Sequence, residues 1–596
     1  MKLKKLPVGI SDYKKLIDED CYYVDKTLLI KEIMESGEVI LITRPRRFGK
    51  TLNQSMLRYF FEKREGDTSY LFQDKKIWQE QEFKKMQGEY PVIYLSFKDI
   101  KSRDYKQSYE SLRLLIAKEY KRHDYLLNSD IMSEYEKKEF EEVIYGEASL
   151  AKYKLSLSNL TEYLARYYSL KPILLIDEYD TPIIAAYNNG YYDQFMDFFK
   201  ILLSAALKDN KYLAKSVLTG ITRIAKESIF SGLNNLKTST ILSNFYNDKF
   251  GLTREEVMKI VKYYDLEYKE GEIIDWYDGY NFGEEEIYNP FSIINLADNK
   301  GKIQEYWINS SGNQLIKKLI RKSSAEFKAG ILNLIEGKEI RSDIEENLVF
   351  DEVDGREENI WTLLLFSGYL KWTEQVKERE YSLKVPNREV MFFYRYTVKN
   401  ILKDTGIDLE SMINELLLGH IKQFKKDFKD LTKETLSYFD TAEKNPEKFY
   451  HGLVLGMVVG LKDSYLIRSN RETGYGRADV ILIPRDEDKK GLVMEFKKYN
   501  LDRDKNLKDS AIKALEQIDK EGYEASIKAY GISEIIKVGI AFEGKKVEIV
   551  SNLDRKEKIS SEKEQIVKGM LEKGMDKELI SELTGLKKDE IIKLEE

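Results

Sequence analysis

Apolar residues in this chain fall into short runs separated by charged stretches. Val39–Thr43 (VILIT) leads through Arg44–Gly49 into a helical spacing at Leu52, Met56, Leu57 and Phe60. That pattern predicts strand, loop and helix. Pro91–Phe97 and Ala214–Gly220 read as further strands, and residues 103–170 as mostly helix. Pro172–Asp177 (PILLID) is apolar until its last residue, as expected of a strand buried in a parallel sheet. Strands alternating with helices predict a doubly wound α/β domain over residues 1–250. Residues 251–400 look helix-rich and strand-poor, with Gly279, Gly283 and Pro290 as punctuation, and suit a helical or winged-helix-like region. A charged helical connector is expected over 401–435, a second α/β domain over 436–552 and a charged helical tail over 553–596.

Length and composition narrow this reading. A chain of 596 residues exceeds one core and predicts about three or four domains of ~150 residues. With 42% hydrophobic and 34% charged residues it should fold as a soluble protein. A net charge of -6 gives no polybasic signature, though a local basic groove stays open. The single Cys21 excludes an internal disulfide framework, and the three histidines, His123, His420 and His451, stand far apart. Any metal should therefore be oxygen-ligated, Mg²⁺ or Mn²⁺. The N-terminus has no apolar signal core, and the longest apolar run, Leu453–Leu461, cannot span a bilayer. The expectation is a cytoplasmic protein without a membrane segment.

The chemistry begins at Arg44-Pro45-Arg46-Arg47-Phe48-Gly49-Lys50-Thr51, a phosphate loop with Arg44 where glycine is usual. Gly49 lets backbone N–H groups turn toward an anion at a helix start. Lys50 would reach the β and γ phosphates of ATP and Thr51 would ligate Mg²⁺. Arg46, Arg47 and Leu52 flank them as further nucleotide contacts. Lys50 is expected to face solvent while the site is empty. Asp177 and Glu178 end the buried strand; Asp177 suits the metal shell, and Glu178 the attacking water. Arg223 follows the next strand as a candidate charge sensor, which would complete a site across a homo-oligomer interface or a domain junction. The blander alternatives are a basic strand-to-helix turn, solvated acids and a surface arginine.

A second constellation lies near the other end. Gly476–Pro484 and Gly491–Lys497 read as two strands joined by a charged turn, and the midpoint between Asp479 and Glu495 is residue 487, inside that turn. An antiparallel hairpin would set the two acids opposite each other, within ~5 Å. Lys497, two residues after Glu495, shares its face. Two carboxylates and a lysine would hold Mg²⁺ and activate water against a phosphodiester; a solvated cross-strand charge cluster is the other reading.

Both constellations resemble a known family. Leu6–Gly9, Tyr23–Thr27, Arg44–Thr51, Asp177–Asp180, Thr219–Arg223, Tyr277–Tyr280 and Asn289–Ser292 resemble the AAA-ATPase-like proteins of bacteria and archaea. Members of that family often carry a nuclease domain of the PD-(D/E)XK type. In that family the missing loop glycine is a habit. Asn470–Asp479 and Glu495-Phe496-Lys497 are similar to its nuclease domain, with a restriction-endonuclease-like fold. The resemblance implies Asp479, Glu495 and Lys497 as catalytic, and Glu447 as a further metal ligand on an upstream helix beside Phe449–Gly452. It also implies that Gln517, within Ala514–Ile518 and near Tyr523, faces the site. Ile566–Leu594 is similar to charged helical ends with a Thr-Gly-Leu turn, read as a surface cap with DNA contact left open. The function expected is an ATP-binding protein coupled to a Mg²⁺-dependent DNA nuclease, in defence or mobile-element control. The alternative is a non-cleaving nucleotide switch that binds nucleic acid or a protein partner.

Overall fold

The computed structural model describes residues 3–63, 66–224, 236–308, 314–335, 337–348, 356–404, 409–438, 454, 458, 461, 464–473, 476–501, 503–543 and 546–584. The chain divides into two compact units. The first is Met1–Lys322 with Glu339–Met391, and the second is Ser323–Lys338 with Phe392–Glu596.

In the first unit, β1 (Val39–Thr43) and β3 (Ile173–Asp177) are buried along their whole length. Both faces of the sheet are covered, so their sequences are apolar without alternation. With β2 (Val92–Ser96), β4 (Lys215–Gly220) and β5 (Leu236–Ser239) they form one sheet in the order β2-β3-β4-β1-β5. Every pairing is parallel. The strand bearing the loop and the strand bearing the acids are therefore separated by β4. Helix α1 (Lys50–Phe61) starts directly after Gly49, whose φ of 84° is open to glycine and strained for other residues. Its Gln54 amide donates to Ile176 O and Val217 O, which fixes the helix against β3 and β4.

The central part carries more strand than its sequence pattern predicts. Leu252–Thr253, Tyr280–Phe282 and Glu285–Tyr288 form one antiparallel sheet, and Ile340–Asp343, Lys371–Gln375 and Glu380–Lys384 another. These strands are two to five residues long, too short to show a period of two, which is why the region reads as strand-poor. Helix α2 (Pro290–Asp298) is capped by Asn289 and has proline at its first turn.

The second unit contains a sheet of β6 (Tyr465–Thr473), β7 (Gly476–Pro484), β8 (Gly491–Lys498), β9 (Ile535–Glu543) and β10 (Lys546–Ser551), in chain order. Only β8 and β9 are parallel, and α3 (Leu507–Lys520) lies between them in sequence, as a parallel connection requires. Among the described residues no helix is long and apolar enough to cross a membrane.

Candidate active sites

The loop after β1 is held from below. Arg44 is fully buried, and its guanidinium donates to Thr43 O, Ser239 O, Ser239 Oγ, Phe245 O and Tyr246 O. It also lies 5.6 and 5.1 Å from the ring centres of Phe250 and Phe282, within cation–π range. Burial pulls it down to about 9. The residue that departs from the usual loop is thus a bolt between β1, β5 and the segment after it.

Lys50 corrects the expectation that it faces solvent. It is only 4% exposed, and its Nζ donates to Arg44 O and Pro45 O at 2.9 Å each. Two loop carbonyls thus hold the ammonium. Burial lowers its pKa, while Glu178, Asp180 and Asp177 oppose that shift. Thr51 Oγ1 donates to Asp177 Oδ2 at 2.8 Å, and Thr219 Oγ1, on the intervening β4, donates to Asp177 Oδ1 at 2.7 Å. Burial raises Asp177 above the usual carboxylate range. The two elements far apart in sequence therefore meet as a hydroxyl–carboxylate pair, a donor set suited to an oxygen-coordinated divalent cation.

Glu178 has φ 54°, a left-handed backbone uncommon outside glycine, asparagine and aspartate. Thr181 Oγ1 donates to it at 3.1 Å. Asp180 drew no role from spacing. It is fully buried and accepts from Ile221 N at 2.7 Å and Thr222 N at 3.0 Å, while the neighbouring Tyr179 hydroxyl donates to Thr222 O. The acid-rich strand end is thereby locked to the Thr219–Arg223 segment.

A cleft of about 480 Å³ is lined by Arg46, Arg47, Gly49, Lys50, Thr51, Leu52 and Glu178. Asp177 is joined to it through the hydrogen bond from Thr51. A narrower apolar slot continues from the cleft and shares Pro7, Leu16, Leu52, Pro290 and Ile294 with it. Trp307 Nε1 donates to Arg46 O at 3.2 Å, and the Arg47 guanidinium stacks 4.9 Å from the Phe291 ring. Arg223 does not line the cleft; it pairs in parallel with Asn347 in a two-residue strand. Tyr23–Thr27 also has a structural part. Asp25 accepts from the Thr27 backbone and hydroxyl and from Lys76 N, and Lys26 bonds Glu256 and Asp248 O.

In the second unit the pairing Val480↔Met494, Ile481↔Val493 and Leu482↔Leu492 carries residue 479 toward residue 495, as the midpoint at 487 requires. Asp479 Oδ2 accepts from Phe496 N at 2.8 Å. Glu495 is buried, and its Oε1 accepts from Gln517 Nε2 at 2.5 Å; Gln517 Oε1 accepts from Lys497 Nζ at 2.7 Å. Gln517, on α3, therefore bridges the acid and the lysine of β8. Tyr523 completes the cluster at 3.4 Å from Gln517 Nε2; burial raises its hydroxyl, and Glu495 and Asp479 both push it further up. Among the described residues no group of three or more His, Cys, Asp or Glu gathers as a metal centre. The two acids with water would hold a small hard cation. Glu447 and Phe449–Gly452 lie outside the described residues.

One residue at this site has no signal in the sequence pattern. Gly539 pairs with Glu495 across β8 and β9, and a Cβ there would meet Ala511 O at 2.3 Å and Leu515 N at 2.5 Å. Only glycine lets α3 approach closely enough for Gln517 to reach Glu495. Beyond the sheet, Val567 and Ile580 form a small core between helices Asn552–Glu572 and Lys577–Thr584. The expected Thr-Gly-Leu turn continues outside the described residues.

Three family models match parts of the chain. Residues 7–230 match the family described as Predicted AAA-ATPase, residues 445–552 the PD-(D/E)XK nuclease superfamily, and residues 562–596 the C-terminal HTH domain of the Rpn/YhgA-like nuclease family. An uncharacterized protein from the vnfD 5′ region of Azotobacter chroococcum mcd 1 is 25% identical over 570 residues, 91% of this chain and 97% of its own. Among solved structures, a STAND protein (Signal Transduction ATPase with Numerous Domains) with a tetratricopeptide repeat sensor, from Pyrococcus horikoshii, aligns at 12% identity with a TM-score of 0.24. That alignment covers 74% of this chain and 58% of the other, so the chain spans less than two thirds of its length.

Proposed function

We propose that this chain, which carries an AAA-ATPase-like N-terminal domain, a PD-(D/E)XK nuclease domain and an Rpn-like C-terminal HTH domain, is an ATP-dependent, metal-dependent DNA nuclease. One observation supports this most: each unit brings together several of the side chains expected for one half of the task. Thr51, Asp177, Lys50 and Glu178 converge in the first unit, and Asp479, Glu495, Lys497 and Gln517 in the second.

In the first unit the N–H groups at the start of α1 would bind the phosphate chain, and Lys50 would exchange its loop carbonyls for phosphate oxygens. Thr51 and Asp177 would hold Mg²⁺, which when bound neutralises developing phosphate charge. Glu178, set by its strained backbone and by Thr181, would orient the attacking water. The apolar slot suits a flat base better than a second charged group.

In the second unit Asp479 and Glu495 would hold Mg²⁺ or Mn²⁺, and Lys497, aimed by Gln517, would position or deprotonate the water. The HTH domain supports DNA as partner. A cytoplasmic location, and a homo-oligomer in which Arg223 acts across an interface, belong to the same reading.

Calorimetry with Mg²⁺·ATP tests the first half. Lys50→Ala should weaken binding by at least about tenfold, and its melting curve should stay cooperative. Glu178→Gln should bind normally and slow any hydrolysis. Equal affinity in Lys50→Ala and the wild type would end the phosphate-loop assignment.

A further inference from the structure

Four consecutive residues of the loop after β1 touch the central part of the first unit. A Cβ on Gly368 would meet Pro45 Cβ at 2.9 Å, and Trp307 Nε1 donates to Arg46 O at 3.2 Å. The Arg47 guanidinium lies 4.9 Å from the centre of the Phe291 ring, and the Phe48 ring packs against Tyr280 and Phe282, with centres 5.0 and 5.2 Å apart. One face of the loop is therefore built by residues far along the chain.

Two of these contacts trace to a single side chain. Glu389 stands in the first turn of the helix that begins at Arg388 and is buried. Its Oε1 accepts from Tyr306 N at 2.6 Å and Trp307 N at 2.5 Å, and its Oε2 accepts from Ser292 Oγ at 2.7 Å. Trp307 is the residue that bonds Arg46, and its ring packs between Tyr280 and Tyr369, with centres 6.4 and 5.3 Å away. Ser292 follows Phe291, the partner of Arg47, in the first turn of α2, and Pro290 and Phe291 of that turn line the phosphate cleft. Three donors from two separate segments thus meet on one carboxylate. Packing alone would be served by an apolar residue of the same size, at the cost of leaving two buried N–H groups without this acceptor.

We infer that Glu389 is a positioning residue for the phosphate loop: through Trp307, and through Ser292 with Phe291, it sets where Arg46 and Arg47 stand at the cleft. The loop is then held in place before any ligand arrives, and binding does not have to order it. Without Glu389, Lys50 and Thr51 keep their own partners, while the Arg46–Arg47 side of the loop loosens. The effect on nucleotide rests on the phosphate-loop reading; the effect on the loop itself does not.

The test uses the full chain and two readouts: hydrogen exchange of the amides of residues 46–49, and calorimetry with Mg²⁺·ATP. In Glu389→Leu the loop amides should exchange about tenfold faster and ATP should bind about tenfold more weakly. Glu389→Gln keeps an oxygen for the two backbone N–H groups and should stay within about twofold of wild type on both readouts. That rescue separates positioning by the acceptor from a need for charge. Trp307→Phe keeps an aromatic ring and removes the indole N–H, and should weaken ATP by about fivefold. Combined with Glu389→Leu it should add little, because both act through one contact. The inference is overturned by unchanged loop exchange in Glu389→Leu and Trp307→Phe, by effects of the two that multiply, or by a Glu389→Gln protein as impaired as Glu389→Leu. Should Glu389→Leu not fold, Ser292→Ala, which removes one of the three donors, takes its place, and unchanged loop exchange there overturns the inference. If the wild type binds no ATP, the nucleotide reading falls, and loop exchange alone decides the part played by Glu389.

Discussion

Five hydrogen bonds converge on the Arg44 guanidinium, four of them to carbonyl oxygens. Their partners are up to 202 residues away, so no local pattern announces them. Replacing Arg44 by the usual glycine would strand those acceptors. Arg44→Gly should cost about 3 kcal/mol in urea unfolding, and equal stability would contradict the role given to Arg44. Glu389 is a second buried charge that sequence spacing leaves unmarked. It accepts from Ser292 Oγ, Tyr306 N and Trp307 N, yet burial outweighs these donors and raises its carboxyl from 4.5 to about 7. The folded chain therefore binds the proton more tightly than the unfolded one. Stability from this group is full below about pH 4.5 and is lost as pH rises through about 7. From about pH 5 to 8 the melting temperature of the wild type should fall relative to Glu389→Gln; a constant difference would refute the assignment. Lys50 shows the limit of residue-level reading: its identity was legible in Gly49-Lys50-Thr51, but its tie to loop carbonyls depends on how the loop closes over it.

The elements that carry the sites were the most legible part of the fold. The hairpin register follows from two positions and the turn between them, all within 17 residues, and strand β3 from a continuous apolar run. The order β2-β3-β4-β1-β5 was not legible, because strand order is set by crossover connections and not by local period. The central strands were missed for their shortness. At the hairpin, Gly539 fixes the distance between β9 and α3. Gly539→Ala should cost about 2 kcal/mol by overpacking and should slow any phosphodiester cleavage by displacing Gln517. Gly569→Ala, at a helical position where a Cβ meets nothing within 4 Å, should instead stabilise by up to about 1 kcal/mol. Urea unfolding of the two variants compares them directly, and a Gly539→Ala protein as stable as wild type would refute the close approach.

At the scale of the whole molecule, two compact units each hold one cluster. Composition alone could not show this, because a net charge of -6 spread over 596 residues favours no partner; the motif pairs and the family resemblance carried it. On the proposed function, the second cluster cleaves DNA with a divalent metal. The direct measurement is Mg²⁺ titration with DNA cleavage, on linear and circular substrates, for wild type, Asp479→Ala, Glu495→Ala and Lys497→Ala. Loss of either acid should abolish metal binding and nearly all cleavage, whereas Lys497→Ala should keep the metal and lose the rate, since lysine acts on the water. A wild type that binds no divalent ion, or a Glu495→Ala variant that cuts as fast as wild type, would contradict the account and leave a non-cleaving nucleotide switch in its place.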